Sequence, residues 1–178
     1  MANENEVLKT IKARRSVRKF TDKIPEKAVI DQICEAGTFA ATGMGKQSPV
    51  ILAVTNRQLR DKLSKVNQQI GGWQDGFDPF YGAPVVLVVL AKKDVATRVY
   101  DGSLVMGNLM LATESLGVNS IWMHRAKETF EMEEWKNWLK TLGIEGEYEG
   151  IGNCAIGYAA EPAPAPAPRK ANYVVKVE

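Results

Sequence analysis

The run "APVVLVVLA", Ala83 to Ala91, constrains the fold more than any other stretch. It is far too short to cross a bilayer as a helix. It is β-branched at alternate and adjacent positions alike, so both faces need apolar cover. A strand buried on both sides is the solution, which means a central strand in a sheet sandwiched by helices. The cover is present. "TRVYDGSLVMGNLMLATESLG" predicts a long helix that is apolar nearly all round, and such a helix must be buried in the core, in a subunit interface, or in both.

Other elements alternate around this pair. Val7, Leu8 and Ile11 predict a short first helix, and Val29, Ile33 and Ala36 a second, with Pro25 in its first turn and Gly37 near its end. "VILAVTN" reads as a buried strand. Leu59, Leu63, Val66 and Ile70 then mark an amphipathic helix with Gly71 past its end. "NSIWMH" is a short strand, "ETFEMEEWKNWLKTLG" one helix, and "GIGNCAIGYA" a last core strand. Met106, Met110 and Met132 read as packing, and Trp122, Trp135 and Trp138 as core or interface. The expectation is one core domain over residues 1–160. In "EPAPAPAPRK" alternating Pro favours an extended polyproline arm, about 25 Å from Glu161 to Pro168. "NYVVKVE" then alternates like a strand, so residues 161–178 read as an arm delivering a strand to a distant edge, possibly on another subunit.

Composition narrows the function classes. With 178 residues, 45% of them apolar, one real core is affordable. A net charge of +2 gives no overall pull towards nucleic acid or anionic membrane. One histidine nearly excludes a His-rich metal site. The opening residues lack a basic segment followed by an apolar run, and Cys34 and Cys154 stand far apart, so free buried thiols and a cytoplasmic location are expected. A Cys–His nucleophile pair with His124 is the sharper, less economical alternative.

Against that near-neutral background, "RRSVRKF" packs four cations into residues 14–20. In an extended segment, alternate residues share a side, so Arg14, Ser16 and Arg18 can face one ligand, with Arg15 turned elsewhere. Guanidinium forks and a hydroxyl suit a phosphate. From spacing alone, that reading and a solvated charge run stand level. Two other motifs fail: "GIGNCA" has a strand and then polyproline after it where a dinucleotide fingerprint needs a helix, and "GMGKQ" is only half a P-loop.

Read through, the chain resembles the FMN-dependent nitroreductase family. The resemblance lies in "RRSVRKF", "ATGMGKQSP", "FYGAPVVLVVLA", "DGSLVMGNLMLATESLG", "SIWMHRAKE" and "GIGNCAIGYAAEPAPAPAPRK", in the family's order and over most of the chain. It implies an α+β fold with a mostly antiparallel or mixed sheet flanked by helices. It also implies a homodimer with FMN in the interface, reduced by NADH or NADPH, acting on nitroaromatics, quinones or similar flat acceptors. Carried over by position, Arg14 and Ser16 hold the phosphate and ribityl end, Arg15 is a neighbour, and Arg18 is the cation near the pyrimidine edge. Arg169 and Lys170 are a second basic pair on the phosphate. Thr42, Gln47, Ser48 and Pro49 belong to a loop reaching the flavin from the other subunit. Met123, His124 and Arg125 lie beside the reactive nitrogen, where a backbone amide matters most, and Asn67 is a candidate for the pyrimidine edge. Trp73, Phe77, Phe80 and Tyr81 form an aromatic loop read as a partial lid over flat substrates. The chain departs from many relatives at "GKQSPV", and it lacks room for the extra helices of larger members. No side chain is expected to act as catalytic acid or base. A flavin store or sensor without turnover, a nucleic-acid module built on Arg14 to Lys19, and other reductive chemistries are the competing readings.

Overall fold

The computed structural model describes residues 4–178. Four strands, β1 (Pro49–Val54), β2 (Val85–Lys92), β3 (Asn119–Met123) and β4 (Tyr148–Gly157), form one sheet in the order β1-β2-β4-β3. Every neighbouring pair is antiparallel. Six helices flank it: α1 (Glu6–Ala13), α2 (Lys27–Thr38), α3 (Arg57–Gly71), α4 (Arg98–Ser115), α5 (Ala126–Glu131) and α6 (Glu133–Thr141). The architecture is α+β, as expected.

Strand β2 sets the layers. Val85, Leu87 and Val89 pack with Ile30 and Ile33 of α2 and Val105, Met106 and Leu109 of α4. Val86, Val88 and Leu90 face the opposite way, onto Leu63, Phe130, Trp135 and Leu139 of the α3, α5 and α6 layer. Period-two alternation along one strand therefore feeds two separate cores. All six side chains are fully buried.

Several sequence expectations change. β1 is an edge strand, only partly buried, because it pairs with β2 alone. Pro25 precedes α2 instead of sitting in its first turn. Gly37 does lie near the end of α2, one residue before Thr38, and an added Cβ there would come within 2.7 Å of Ile51 and 2.8 Å of Leu109. The left-handed cap of α3 is Gly72 (φ 66), one residue later than read, while Gly117 (φ 69) follows α4 as expected. The segment expected as one helix breaks at Met132, whose extended backbone (ψ 137) separates α5 from α6. Met132 is 41% exposed, so it is not a core residue, whereas Met106 is fully buried. Residues 171–178 form no strand in the single chain, and Tyr173, Val174, Val175 and Val177 are exposed.

The rejected "GIGNCA" motif has a packing role. Strand pairing slips between Val89 and Leu90, which leaves Ile151 as the extra residue of a bulge. A Cβ on Gly150 would lie 2.2 Å from the Ala126 backbone, and one on Gly152 would lie 2.4 Å from Trp122 Nε1. These glycines let β4 pass tightly under the start of α5 and let the Trp122 side chain of the neighbouring β3 lie close against it.

Candidate functional site

The basic segment begins where α1 ends, with the Arg14 N–H donating to the Thr10 carbonyl. From there it is stitched in extended form to the sheet. Val17 N donates to Ser120 O (3.2 Å), Phe20 N to Tyr81 O (3.2 Å) and Thr21 N to Tyr158 O (2.8 Å). Val17 is buried, which turns Ser16 and Arg18 the other way. Both line one cavity of about 290 Å³, together with Trp73, Tyr81 and the end of β3 through Met123, His124 and Arg125. Arg15 folds back, donating to the carbonyls of Lys12 (2.6 Å) and Arg14 (2.8 Å). One guanidinium nitrogen of Arg14, Nη1, is buried without an acceptor. A buried donor left unpaired costs roughly 1–3 kcal/mol, more if charged, so Nη1 calls for an acceptor that the described residues do not supply.

The cavity's far wall is the His124–Arg125 turn. Arg125 has φ 76, in the left-handed region that disfavours a side chain. The turn is held from below. Asn153 of β4 donates to the His124 carbonyl (3.0 Å). Thr129 donates to the Arg125 carbonyl through its N–H (3.0 Å) and its hydroxyl (2.7 Å). The Arg125 side chain pairs with Glu128 at 2.7 Å. The carboxyl of Glu128 is pushed up by its partial burial and down by this guanidinium, with a net lowering. Asn67 is buried and bonded at both ends of its amide, to Leu63, Thr129 and Asn153. It therefore supports the turn from beneath and does not face a ligand, contrary to the sequence reading. Asn153 went unread because a lone asparagine inside a rejected glycine motif offers no periodic signal.

The aromatic loop is fixed rather than loose. Asp78 accepts from Ser64 Oγ (2.6 Å), Phe80 N (3.0 Å), Gly82 N (2.7 Å) and the buried Arg60 guanidinium. Burial pushes the Asp78 carboxyl up, but the hydrogen bonds from Arg60, Ser64 and Gly82 and the Arg60 charge leave it below its usual range. Around this anchor the rings of Trp73 and Phe77 lie 5.6 Å apart, and those of Phe77 and Tyr81 5.8 Å apart. Trp73 and Tyr81 reach the cavity. Phe80 is fully buried in the core and cannot line a substrate pocket.

Other expected residues lie elsewhere in the single chain. The loop after α2 contains a tight turn, Gly43–Gly45, fixed by Gly43 N donating to Asp101 (3.0 Å) and Gln47 N to Thr42 Oγ1 (3.1 Å). Met44 and Gln47 both have positive φ. Thr42, Gln47 and Pro49 line a different cavity of about 320 Å³ against α2 and Val105. Ser48 Oγ is buried without a partner. The arm starts beside the basic segment, where Ala160 N donates to Lys19 O (2.9 Å) and Lys19 pairs with Glu161 (3.1 Å). Farther out, Arg169 donates to its own chain at Ala167 (2.9 Å), and Lys170 lies over the Tyr173 ring. Among the described residues no hydrogen bond joins either cation to Arg14 or Ser16. Cys34 and Cys154 are unpaired, and burial pushes the Cys154 thiol up to about 12, which makes it a poor nucleophile. Among the described residues no cluster suits a metal ion, and no helix is long and apolar enough to cross a membrane.

Residues 11–71 match the model of the nitroreductase family. That span carries the basic segment, α2, the Thr42–Pro49 loop and α3. A nitroreductase with bound FMN from Bacteroides fragilis superposes with a TM-score of 0.88 at 29% identity, covering 98% of this chain and 100% of that one. The chain has the nitroreductase fold. A second nitroreductase with bound FMN, from Desulfitobacterium hafniense, gives a TM-score of 0.87 at 25% identity over 99% of this chain and 100% of that one. A curated protein of Methanothermobacter thermautotrophicus, under the provisional name NADH dehydrogenase/NAD(P)H nitroreductase, is 29% identical over 66% of this chain. The match covers 60% of that protein's own length. The nitroreductase-like features sit where the geometry concentrates: the family match takes in Arg14 to Arg18, and the fold supplies the wall at Met123 to Arg125.

Proposed function

We propose that this chain is an FMN-dependent oxidoreductase that takes hydride from NADH or NADPH and reduces nitroaromatics, quinones or similar flat acceptors, the two substrates taking turns at one face. The carrying observation is the single cavity shared by Ser16, Arg18 and the Met123–Arg125 turn, with the unpaired Nη1 of Arg14 on the same segment. These residues fit FMN: a guanidinium and a hydroxyl for the phosphate end, a second cation for the pyrimidine edge, and a backbone amide at Arg125 for the hydride-accepting edge. FMN, when bound, supplies redox chemistry that no side chain here offers. The chain's own contribution is to bind, to orient and to exclude water. Arg18 places positive charge where reduction adds negative charge, and Trp73 and Tyr81 present flat apolar surface to planar acceptors.

The site is completed by a second copy of the chain. Val7, Leu8 and Ile11 of α1 and Val99, Tyr100 and Leu104 of α4 are 44–72% exposed, an apolar surface that a homodimer would cover. The partner's Thr42–Pro49 loop would close the open side of the cavity, and the arm, residues 161–178, would cross so that Arg169 and Lys170 meet the phosphate. The unpaired cysteines fit a reducing cytoplasm. The absorbance spectrum of the purified protein tests this. Flavin bands that bleach with NADH or NADPH under anaerobic conditions are expected. Absence of flavin would defeat the proposal, and persistent colour would point to storage without turnover.

A further inference from the structure

We infer that Asn153 is a positioning residue, which together with Asn67 and Thr129 aims the Arg125 backbone N–H into the cavity shared by Ser16 and Arg18. This rests on the FMN reading above. Asn153 is fully buried in the middle of β4, where asparagine is disfavoured and a bare amide is costly. Its Nδ2 donates twice, to Asn67 Oδ1 (3.1 Å) and to the His124 carbonyl (3.0 Å). Two acceptors fix which end of the amide faces them, because the flipped amide would set oxygen against oxygen. The cost of that choice is visible: Asn153 Oδ1 is buried without a partner. Asn67 is oriented in turn by donating to Leu63 O (3.0 Å) and towards Thr129 Oγ1 (3.4 Å). The Thr129 hydroxyl spends its proton on the Arg125 carbonyl (2.7 Å), so it is free to accept from Asn67.

The consequence follows from peptide geometry. In a planar trans peptide the C=O and the next N–H point in opposite directions. Asn153 draws the His124 carbonyl inward, so the Arg125 N–H is turned outward, away from the core. Thr129 clamps the following carbonyl, which holds Arg125 at φ 76 against its steric preference. Among the described residues the Arg125 N–H donates to no protein acceptor, and Arg125 stands between two cavities, the one shared by Ser16 and Arg18 and another of about 510 Å³ beside Val99 and Ser103. Three elements, α3, β4 and α5, thus fix the two peptide bonds that flank Arg125, and the Arg125 N–H is left for a ligand.

The test is amide hydrogen exchange by NMR on the full chain, before and after adding FMN, combined with the nitrogen resonances of ¹⁵N-labelled FMN. In the wild type, FMN should slow exchange of the Arg125 amide at least tenfold. In Asn153→Ala that protection should fall at least tenfold. The resonance of the hydride-accepting nitrogen should move towards its free-FMN position, while the phosphorus resonance stays put. Thr129→Val, which keeps shape but loses the hydroxyl, should shift the same two readouts in the same direction, and it serves if Asn153→Ala does not fold. Flavin-bound variants with unchanged Arg125 protection and an unchanged nitrogen resonance would overturn the inference alone. A wild-type protein that takes no FMN would overturn the FMN reading and the inference with it.

Discussion

The two halves of the expected flavin site differ in how they are built. Residues 14–20 are tied by backbone hydrogen bonds to β3 and to the loops beside β2 and β4, and the His124–Arg125 turn is held by Asn153 and Thr129, so one chain assembles both unaided. The Thr42–Pro49 loop and the arm are internally ordered at their roots, yet they end in loose groups. Ser48 carries a buried unpaired hydroxyl, Arg169 bonds only along its own arm among the described residues, and Val174, Val175 and Val177 lie exposed. A stable domain rarely leaves apolar, β-patterned segments uncovered, so under the proposed homodimer the exposed arm is what a second copy would cover.

The largest effect that can break this contrast is removal of the arm. Deleting residues 161–178 should abolish flavin retention and convert a dimer to a monomer, as read by light scattering on the eluting protein. A truncated dimer carrying full flavin would show that the arm is not part of the site. On the assembled half, Arg14→Ala or Arg18→Ala should weaken FMN binding tenfold or more, since a charge-assisted contact is worth roughly 1.5–3 kcal/mol. Fluorescence titration gives the dissociation constant, and wild-type affinity in both variants would remove these residues from the site.

Asp78 sharpens the comparison between the fixed aromatic loop and the open cavity beside it. Its folded-state carboxyl lies below the usual carboxylate range, so its contribution is fully present above about pH 4, the ordinary value of a free Asp, and is lost as pH falls through the lowered value. Asp78→Asn should cost about 1–3 kcal/mol near neutral pH and make the acid limb of the melting profile shallower. An unchanged acid limb would mean that the Arg60–Asp78 pair does not anchor the loop. The smallest effect is expected at Trp73, which is partly exposed and stacks on Phe77. Trp73→Ala should lower stability by about 1 kcal/mol at most while raising KM for a flat acceptor. An unchanged KM would assign Trp73 to packing alone.

Legibility in the sequence followed the range of the interactions. β2, α3 and α4 were readable because periodicity is local, and each presents a repeat long enough to count. Alternation puts Ser16 and Arg18 on one side, opposite the buried Val17, whereas Phe20, of the same parity as Arg18, turns inward, so the alternation ends there. The break at Met132 was hidden because Phe130, Trp135 and Leu139, on either side of it, pack into one core, so the apolar pattern reads as continuous. Phe80 resembled a lid residue because glycines surround it, but Asp78 organises those turns through contacts with Arg60 and Ser64 that spacing does not reveal. Asn153 and Asn67 are 86 residues apart in sequence, and their bond exists only once β4 lies over α3. The terminal segment alternates like a strand, yet residues 171–178 form none: β1 and β3 leave edges on the sheet, and among the described pairings the segment joins neither.

Native mass spectrometry of the full-length protein tests the central claim most directly. Two half-sites that close only across a pair of chains predict a two-chain species carrying two FMN molecules, with no flavin on any monomer. A flavin-loaded monomer, or a stable dimer that refuses FMN, would contradict it.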